Sequence, residues 1–438
     1  MPDTCLVVSA WPEKHSNHGI AWYTKLTLTE TAKQTGQRFI VLAEKGQDDT
    51  PRIYQNGKIL VLRVFDKTHP SLYPVILTWL AKFPAIRQVA IHSEFGVNAG
   101  LSHYILLLPF IALIKLTGRR IVYFAHNVID DVTFLSGHLD FSDNPVVIDV
   151  VNLIIRMHTK ITTWLSDQIV VLDESLQQRL KRILSKEEYK KVTCFPMPVV
   201  HKQVLYSKTR AKKKLGISEK TKVLLSFGFI SSYKGTDWLI DAFSYAMQKG
   251  AKNIHLILAG GPAHSLKGRQ HYQQFLETIE KKVAKNPHIT ITGFLPEHEI
   301  PLYFQAADLV ILPYRGLMGG SGALSHALGY YKPVVLSEPM QETWTNQDLQ
   351  RAASRSRIRK SLLFFPLSYE GIRHILTILK KPKTLLRLKH FSALLAQSRN
   401  VVKLSASTYN QLYQPVVETH ASRGLLQTLR LFLAKMAI

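Results

Sequence analysis

Lys234 lies in the run Phe227-Gly228-Phe229-Ile230-Ser231-Ser232-Tyr233-Lys234-Gly235, preceded by the apolar stretch Val223–Phe227. After it, Trp238, Leu239, Ala242, Phe243 and Ala246 recur at helical spacing. A lysine on such a strand-to-helix turn, beside a glycine and the Thr236-Asp237 start signal, suits a phosphate or diphosphate. Free helix-start amides and an ammonium then face the same anion. A solvated loop lysine is the plain alternative. Ser321 and Gly322 open a second helix after a glycine-rich turn, so their amides are further anion donors, although N-capping alone accounts for the serine. Gly19 repeats the arrangement after the first strand, at the end of the loop Pro12 to Gly19. Gly228, Gly260 and Gly261 follow apolar runs, where a missing side chain either lets a ligand reach the backbone or permits a tight turn. His126 ends the run Ile121 to Ala125 at the carboxyl edge, where α/β sheets bind ligands, with Asn127 and Asp130 as neighbours. A core histidine bonded to backbone is its alternative. Tyr314-Arg315 follows the run Leu309–Leu312, and His326 lies one turn into the helix opened by Ser321. No Asp-x-Asp pair follows a strand to hold a divalent cation. Asp48-Asp49 and Asp130-Asp131 are adjacent pairs whose side chains diverge on a strand. No metal and no other cofactor is expected.

The elements that must position these residues alternate. Strand patterns cover Thr4–Ser9, Arg38–Ala43, Ile59–Phe65, Gln88–His92, Arg120–Ala125, Gln168–Leu172 and Val192–Phe195. Helical patterns lie between several of them, clearest in Ile20–Thr35, Val97–Leu116 and Val146–Trp164. Alternation breaks near Pro196-Met197-Pro198 and restarts with strand Val223–Phe227, helix Asp237–Gln248 and strands His255–Ala259 and Ile289–Thr292. Helix Glu297–Ala306, strand Leu309–Leu312, helix Gly322–Tyr330 and strand Pro333–Leu336 complete the series. The expected class is α/β: two doubly wound Rossmann-like domains facing across a cleft. Expected bounds are 1–200 and 207–385, with a linker around 197–206 and further helices over 386–438.

With 438 residues, two domains are the default. Cys5 and Cys194 lie in apolar runs and read as buried free thiols in a reducing compartment, not a disulfide framework or zinc site. The start Met1-Pro2-Asp3-Thr4 reads as no secretory signal. The apolar run Tyr104–Leu116 falls short of the roughly 20 residues needed to span a bilayer and reads as a core helix. A cytoplasmic protein is expected, free or peripheral on the cytoplasmic face of a membrane. The formal charge of +25, from 56 Lys+Arg against 31 Asp+Glu, fits nucleic acid, an anionic membrane or phosphorylated small molecules. Its dense points, around Lys212-Lys213-Lys214, Arg351 to Lys360 and Lys380 to Lys389, do not interleave with aromatics, so nucleic acid is not expected. Leu425, Leu429, Leu431 and Phe432 near the end share one face, suited to docking on the first domain or to a membrane interface.

Read in order, the second half contains FGFISSYKGTDWLIDAF, LILAGGP, ITGFLPEHEIPLYFQAADLVILPYRG and GGSGALSHALGYYKPVVLSE. This succession resembles the nucleotide-sugar glycosyltransferases of the GT-B fold, specifically glycosyltransferase family 4. It is close over residues 220–340 and looser over 1–200, through HGIAWYTKL, YFAHNV and DQIVVLDESLQQRL. The resemblance implies hexosyl transfer from a nucleotide-sugar donor to a glycan, lipid-linked or small-molecule acceptor, with retention and without an obligatory metal. It also implies an acceptor-binding first domain, a donor-binding second one and C-terminal helices over 386–438 that cross back onto the first domain, with Lys234 and His126 as catalytic residues. Gly19, Gly228, Lys234, Gly260, Gly261, Arg315, Ser321, Gly322 and His326 would line the donor. The chain departs from the pattern in three places. Phe229 stands where the family carries an arginine, and Met318 and His326 where it carries two glutamates; Ser321-Gly322 resembles a variant lacking both. Arg315 is the candidate to replace the charge missing at Phe229. Two alternatives stay open: a degenerate GT-B protein that binds a sugar nucleotide or partner enzyme without transfer, and a nucleotide-sugar epimerase or hydrolase.

Overall fold

Strands rich in Val, Ile and Leu that are buried on both faces demand a parallel sheet covered by helices, and the chain builds two. In the computed structural model the described residues are 4–413 except 14–18, 47–51, 94–100, 136–143, 264–265 and 267. The Asp48-Asp49 pair, most of the loop before Gly19 and the apolar segment 425–438 fall outside the described residues.

The first sheet comprises β1 (Thr4–Val8), β2 (Arg38–Glu44), β3 (Ile53–Asn56), β4 (Ile59–Phe65), β5 (Gln88–Ser93), β6 (Arg120–Ala125), β7 (Gln168–Val171) and β8 (Val192–Cys194). Their order is β3-β4-β2-β1-β5-β6-β7-β8, and every pairing is parallel except β3 with β4. Helices α1 (Gly19–Thr35), α2 (Leu72–Ala81), α3 (Leu101–Leu116), α4 (Pro145–Leu165) and α5 (Glu174–Ile183) belong to this half. An apolar core lies on each face, one around Leu6, Leu42, Ile91 and Phe110, the other around Val7, Val41, Phe124 and Tyr409.

The second sheet is all parallel, in the order β11-β10-β9-β12-β13-β14. Its strands are β9 (Lys222–Phe227), β10 (Ile254–Ala259), β11 (Ile289–Ile291), β12 (Leu309–Leu312), β13 (Val334–Ser337) and β14 (Phe364–Phe365). Helices α6 (Thr236–Gln248), α7 (Gln270–Ala284), α8 (Ile300–Ala306), α9 (Gly322–Gly329), α10 (Gln347–Arg355), α11 (Tyr369–Leu379) and α12 (Pro382–Ser398) complete this half. After α12 the chain returns to the first sheet. Tyr409 Oη sits 2.6 Å from Tyr23 Oη on α1, and Gln88 on β5 donates to the Leu412 carbonyl at 2.6 Å. At the crossing, Arg399 forms a two-point ion pair with Asp348 at 2.6 and 3.0 Å, while its carbonyl accepts from Val199 N at 2.7 Å.

Several elements escape the periodicity reading, among them the two-residue strand β14, which no expected strand covers. β3 is a four-residue edge strand, exposed throughout, that pairs with β4 around the Gly57 turn and carries no apolar alternation of its own. The long helix α7 stands between β10 and β11, where two successive strands are expected. The core-helix expectation for Tyr104–Leu116 needs correction. Leu107, Phe110, Ile111 and Ile114 are buried, whereas Ile105, Leu106, Leu113 and Leu116 face outward.

Candidate active site

In a doubly wound sheet the crevice lies outside the carboxyl ends of the strands where the order reverses. In the second sheet that point falls between β9 and β12. The loops leaving these two strands meet there, carrying Lys234 and Tyr314.

Lys234 ends a single 3₁₀ turn, Ser232–Lys234, and Gly235 caps α6. The Lys234 ammonium donates to Tyr314 Oη at 2.9 Å and lies 4.2 Å from the centre of that ring. Burial works against its charge, but the Tyr233 and Tyr314 hydroxyls outweigh that and hold its pKa above the ordinary lysine value. Tyr314 Oη lies 3.4 Å from Ser321 Oγ, which caps α9 by accepting from Leu324 N at 3.2 Å. Gly228 borders the ammonium: a Cβ there would stand 3.7 Å from Nζ. Gly322 faces open space, with nothing within 4 Å of a Cβ. The structure therefore gathers Gly228, Lys234, Ser321 and Gly322 around one spot, with the Tyr314 hydroxyl as their link.

Gly260 and Gly261 sit beside this spot for packing reasons. A Cβ on Gly260 would lie 1.8 Å from the Gly228 carbonyl, and its amide already donates to Thr292 Oγ1 at 3.2 Å. A Cβ on Gly261 would meet the Phe294 ring at 2.7 Å. Arg315 corrects the expectation of a free charge. Its guanidinium forms a two-point ion pair with Asp237, both contacts at 2.8 Å, and also bonds the Ser232 carbonyl. It fastens the Lys234 turn to the start of α6. His326 lies against Phe227 and Phe304, with ring centroids 5.0 and 5.9 Å away. Burial, helped by Lys202, pushes its pKa down to about 3, so the ring is neutral, and Nδ1 is buried without a hydrogen-bond partner. Phe229 packs edge-on against Phe294 at 6.0 Å, so an aromatic contact occupies that position.

In the first domain His126 follows β6, is buried, and stands edge-on to Tyr23 at 5.0 Å. Its Nε2 lies 3.0 Å from His92 Nδ1 at the end of β5. The polar chain continues from His92 to Thr24 at 3.4 Å and from Thr24 to Ser9 at 2.7 Å. Burial, and then the neighbouring His126, keep the His92 pKa well below the ordinary histidine value. His92 Nε2 is buried without a hydrogen-bond partner, and His92 lines a cavity with Ser9, Ser93, Glu44 and Lys67 at the carboxyl ends of β1, β2, β4 and β5. Ser9, Thr24 and His92 have no motif of their own; their one sequence signal is position at a strand end or on the helix that follows. Gly19 opens α1 with nothing within 4 Å of a Cβ. Asp130 pairs with Arg182 at 2.5 Å and Arg179 at 3.5 Å, and Asp131 accepts from Thr133, so neither carboxylate is free.

The two halves touch through these same loops. Asn127 and Gly319 form an antiparallel bridge, and Val128 N donates to the Met318 carbonyl at 3.0 Å. Further contacts join the halves: Asn346 donates to Asp173 at 2.8 Å and accepts from Glu174 N at 3.0 Å, while Arg179 bonds Glu342 at 2.9 Å and, within the first half, the Val128 carbonyl at 2.7 Å. His126 is thereby carried up to the glycine-rich turn that precedes Ser321. Two facing Rossmann-like halves, with Lys234, Tyr314 and Ser321 gathered at the switch point of the second, define the architecture.

The fold is that of the GT-B glycosyltransferases. Residues 207–341 match the family model described as glycosyl transferases group 1. The lipopolysaccharide 1,2-N-acetylglucosaminetransferase of Salmonella typhimurium is 27% identical over 187 residues, 37% of this chain and 48% of that protein. The chain spans about half the length of the curated relatives it matches. Among solved structures, the GT-B arrangement is shared with sucrose-phosphate synthase from Thermosynechococcus elongatus. The TM-score is 0.68 at 14% identity, covering 94% of this chain and 99% of that one. It is likewise shared with Anabaena Alr3699/HepE in complex with UDP-glucose. There the TM-score is 0.63 at 16% identity, covering 93% and 99%. Among the described residues, no helix is long and apolar enough to cross a membrane.

Proposed function

We propose that this chain is a metal-independent, retaining glycosyltransferase of the family 4 type. It moves a hexosyl group from a nucleotide-sugar donor in the second domain to a hydroxyl of a glycan, lipid-linked or small-molecule acceptor in the first. The observation that carries the reading is the meeting of Lys234, Tyr314 and Ser321 at the switch point, opposite His126. Lys234, held charged by two phenol oxygens, neutralises the departing diphosphate together with the amides at the start of α9. Turning from Tyr314 to a phosphate oxygen exchanges a neutral acceptor for a charged one, which strengthens the contact as the leaving group forms. His126, positioned by His92, contacts the sugar as it acquires oxocarbenium character. The acceptor hydroxyl attacks from the face the diphosphate leaves: the new bond forms as the sugar–phosphate bond breaks, and the departing phosphate takes the acceptor's proton. A cytoplasmic-side location fits this donor chemistry.

A second reading has its own observation. Phe229, Met318 and His326 fill, with packed or neutral side chains, positions where the family carries charge. That favours a protein that binds a sugar nucleotide without transferring it. A thermal-shift panel of UDP-, GDP-, ADP- and TDP-sugars on wild type and Lys234→Ala tests the donor site. At ~100 times its dissociation constant a ligand adds about 2.7 kcal/mol, several degrees in midpoint. One nucleotide class should stabilise wild type and not the variant; no shift with any donor refutes both readings. Release of free nucleotide diphosphate with acceptor extracts, absent in the variant, separates transfer from binding alone.

A further inference from the structure

The segment that returns to the first domain after α12 contains a π-helical turn, Ser405–Tyr409. Such turns are rare and occur mostly at functional sites. This one delivers Tyr409, wholly buried, to α1, where its hydroxyl lies 2.6 Å from that of Tyr23, itself 1% exposed. Burial raises the pKa of both phenols, so both keep their protons and one hydroxyl donates to the other. Tyr23 in turn touches both histidines at the carboxyl edge of the first sheet. Its ring stands edge-on to His126 at 5.0 Å and tilted to His92 at 5.9 Å. Phe124 backs the group, stacked on His92 at 4.2 Å and edge-on to Tyr23 at 6.3 Å.

We propose that Tyr409 is a positioning residue for sugar transfer: through Tyr23, its hydroxyl fixes the orientation of the His126–His92 pair. The inference rests on the reading of His126 as a contact to the sugar. Close-packed rings do not turn independently of one another. Deprived of the Tyr409 hydroxyl, the buried Tyr23 hydroxyl is driven toward another partner. Its ring then tilts, and His126 shifts with it. The contact between His126 Nε2 and His92 Nδ1, 3.0 Å long, moves too, as does His92 Nε2, which lines the cavity without a partner. Docking of the segment does not by itself call for this hydroxyl. Tyr413 is equally buried, packs edge-on to Phe39 at 5.1 Å, and its own hydroxyl has no hydrogen-bond partner. Ring burial is therefore enough to seat the segment. Earlier in the same segment Arg399 is held by Asp348 of the second half, so Tyr409 links the donor half to the histidines.

A double-mutant cycle of Tyr409→Phe and Tyr23→Phe tests this, read by nitrogen-15 NMR of the histidine side chains in the full chain without donor or acceptor. His92→Gln and His126→Gln identify the signals of the two rings. Tyr409→Phe should move both sets of signals, Tyr23→Phe alone should move the same ones, and combining the two should move them no further. Tyr413→Phe, which removes a hydroxyl without a partner, should leave them in place. Matching thermal midpoints establish that the variants are folded. In the nucleotide-release assay Tyr409→Phe should lower kcat about 10-fold, because a tilt displaces His126 by less than the ~1 Å that costs about 10²-fold. KM for the donor should stay within about 2-fold, since donor binding in the second half is untouched. Three results would overturn the inference: imidazole signals of Tyr409→Phe that superimpose on wild type, equal movement in the wild-type and Tyr23→Phe backgrounds, or moved signals with kcat unchanged. Wild type without turnover, but with imidazole signals that move in Tyr409→Phe, refutes the transfer reading and not the coupling of Tyr409 to the histidines. Turnover with unmoved signals refutes the coupling alone.

Discussion

A single methyl group at Gly319 tests whether the cleft works in the closed geometry. A Cβ on Gly319 would stand 1.9 Å from the His126 carbonyl oxygen and 3.0 Å from its carbon. Ordinary contact requires the two loops to separate by roughly 1.5 Å. That separation breaks the Asn127–Gly319 bridge and the 3.0 Å bond from Val128 N to the Met318 carbonyl. Overpacking of this size costs about 1–3 kcal/mol, or several degrees in unfolding midpoint. Turnover suffers more, because a displacement of ~1 Å between reacting groups lowers rates by about 10²-fold. Gly322→Ala, three residues on in the same turn, is the control. Nothing lies within 4 Å of its added carbon, so its stability should stay within about 0.5 kcal/mol of wild type. Thermal unfolding and nucleotide release are measured side by side, with small-angle scattering to detect opening. A Gly319→Ala protein that melts and turns over like wild type would refute the argument that this contact sets the working cleft.

Acid should destabilise the protein, and His158 offers a clean measure. It is buried, and its pKa is pushed down to about 4 by burial, with the Tyr104 carbonyl opposing the shift. Between pH 6.5 and 4 the unfolded chain then binds the extra proton, so stability falls as pH falls through that window, by about 2 kcal/mol at pH 5. Urea unfolding of His158→Gln at pH 7 and 5 should show that much less pH dependence; an unchanged difference counts against a neutral buried ring. Arg399→Ala leaves Asp348 buried and unpaired at the crossing between halves, and should cost about 3–5 kcal/mol in urea unfolding. A loss below 1 kcal/mol would mean that water replaces the guanidinium there.

Most strands of both sheets were legible because they are short aliphatic runs bounded by polar residues, as in TCLVV, ILVLRVF and LVIL. Their ends fell within a residue or two of expectation. The Lys234 turn was legible too, since a glycine and a helix start after a strand leave few other geometries. β3 and α7 were not, because an exposed edge strand gains its form from its neighbour, and the polar α7 buries few residues. Arg315 reads in sequence as a charge near a phosphate site, yet nothing in the chain order says that Asp237, 78 residues away, neutralises it.

The sequence by itself determined two β-α alternations, a glycine-flanked lysine at a strand end and a large positive charge, because periodicity, turn chemistry and charge are local properties. Only the tertiary structure decided which ends meet. The reversal of strand order brings Tyr314 to Lys234, and the interdomain bridge brings Gly319 to His126. Contacts between distant segments are set by topology and packing, which no window of sequence contains.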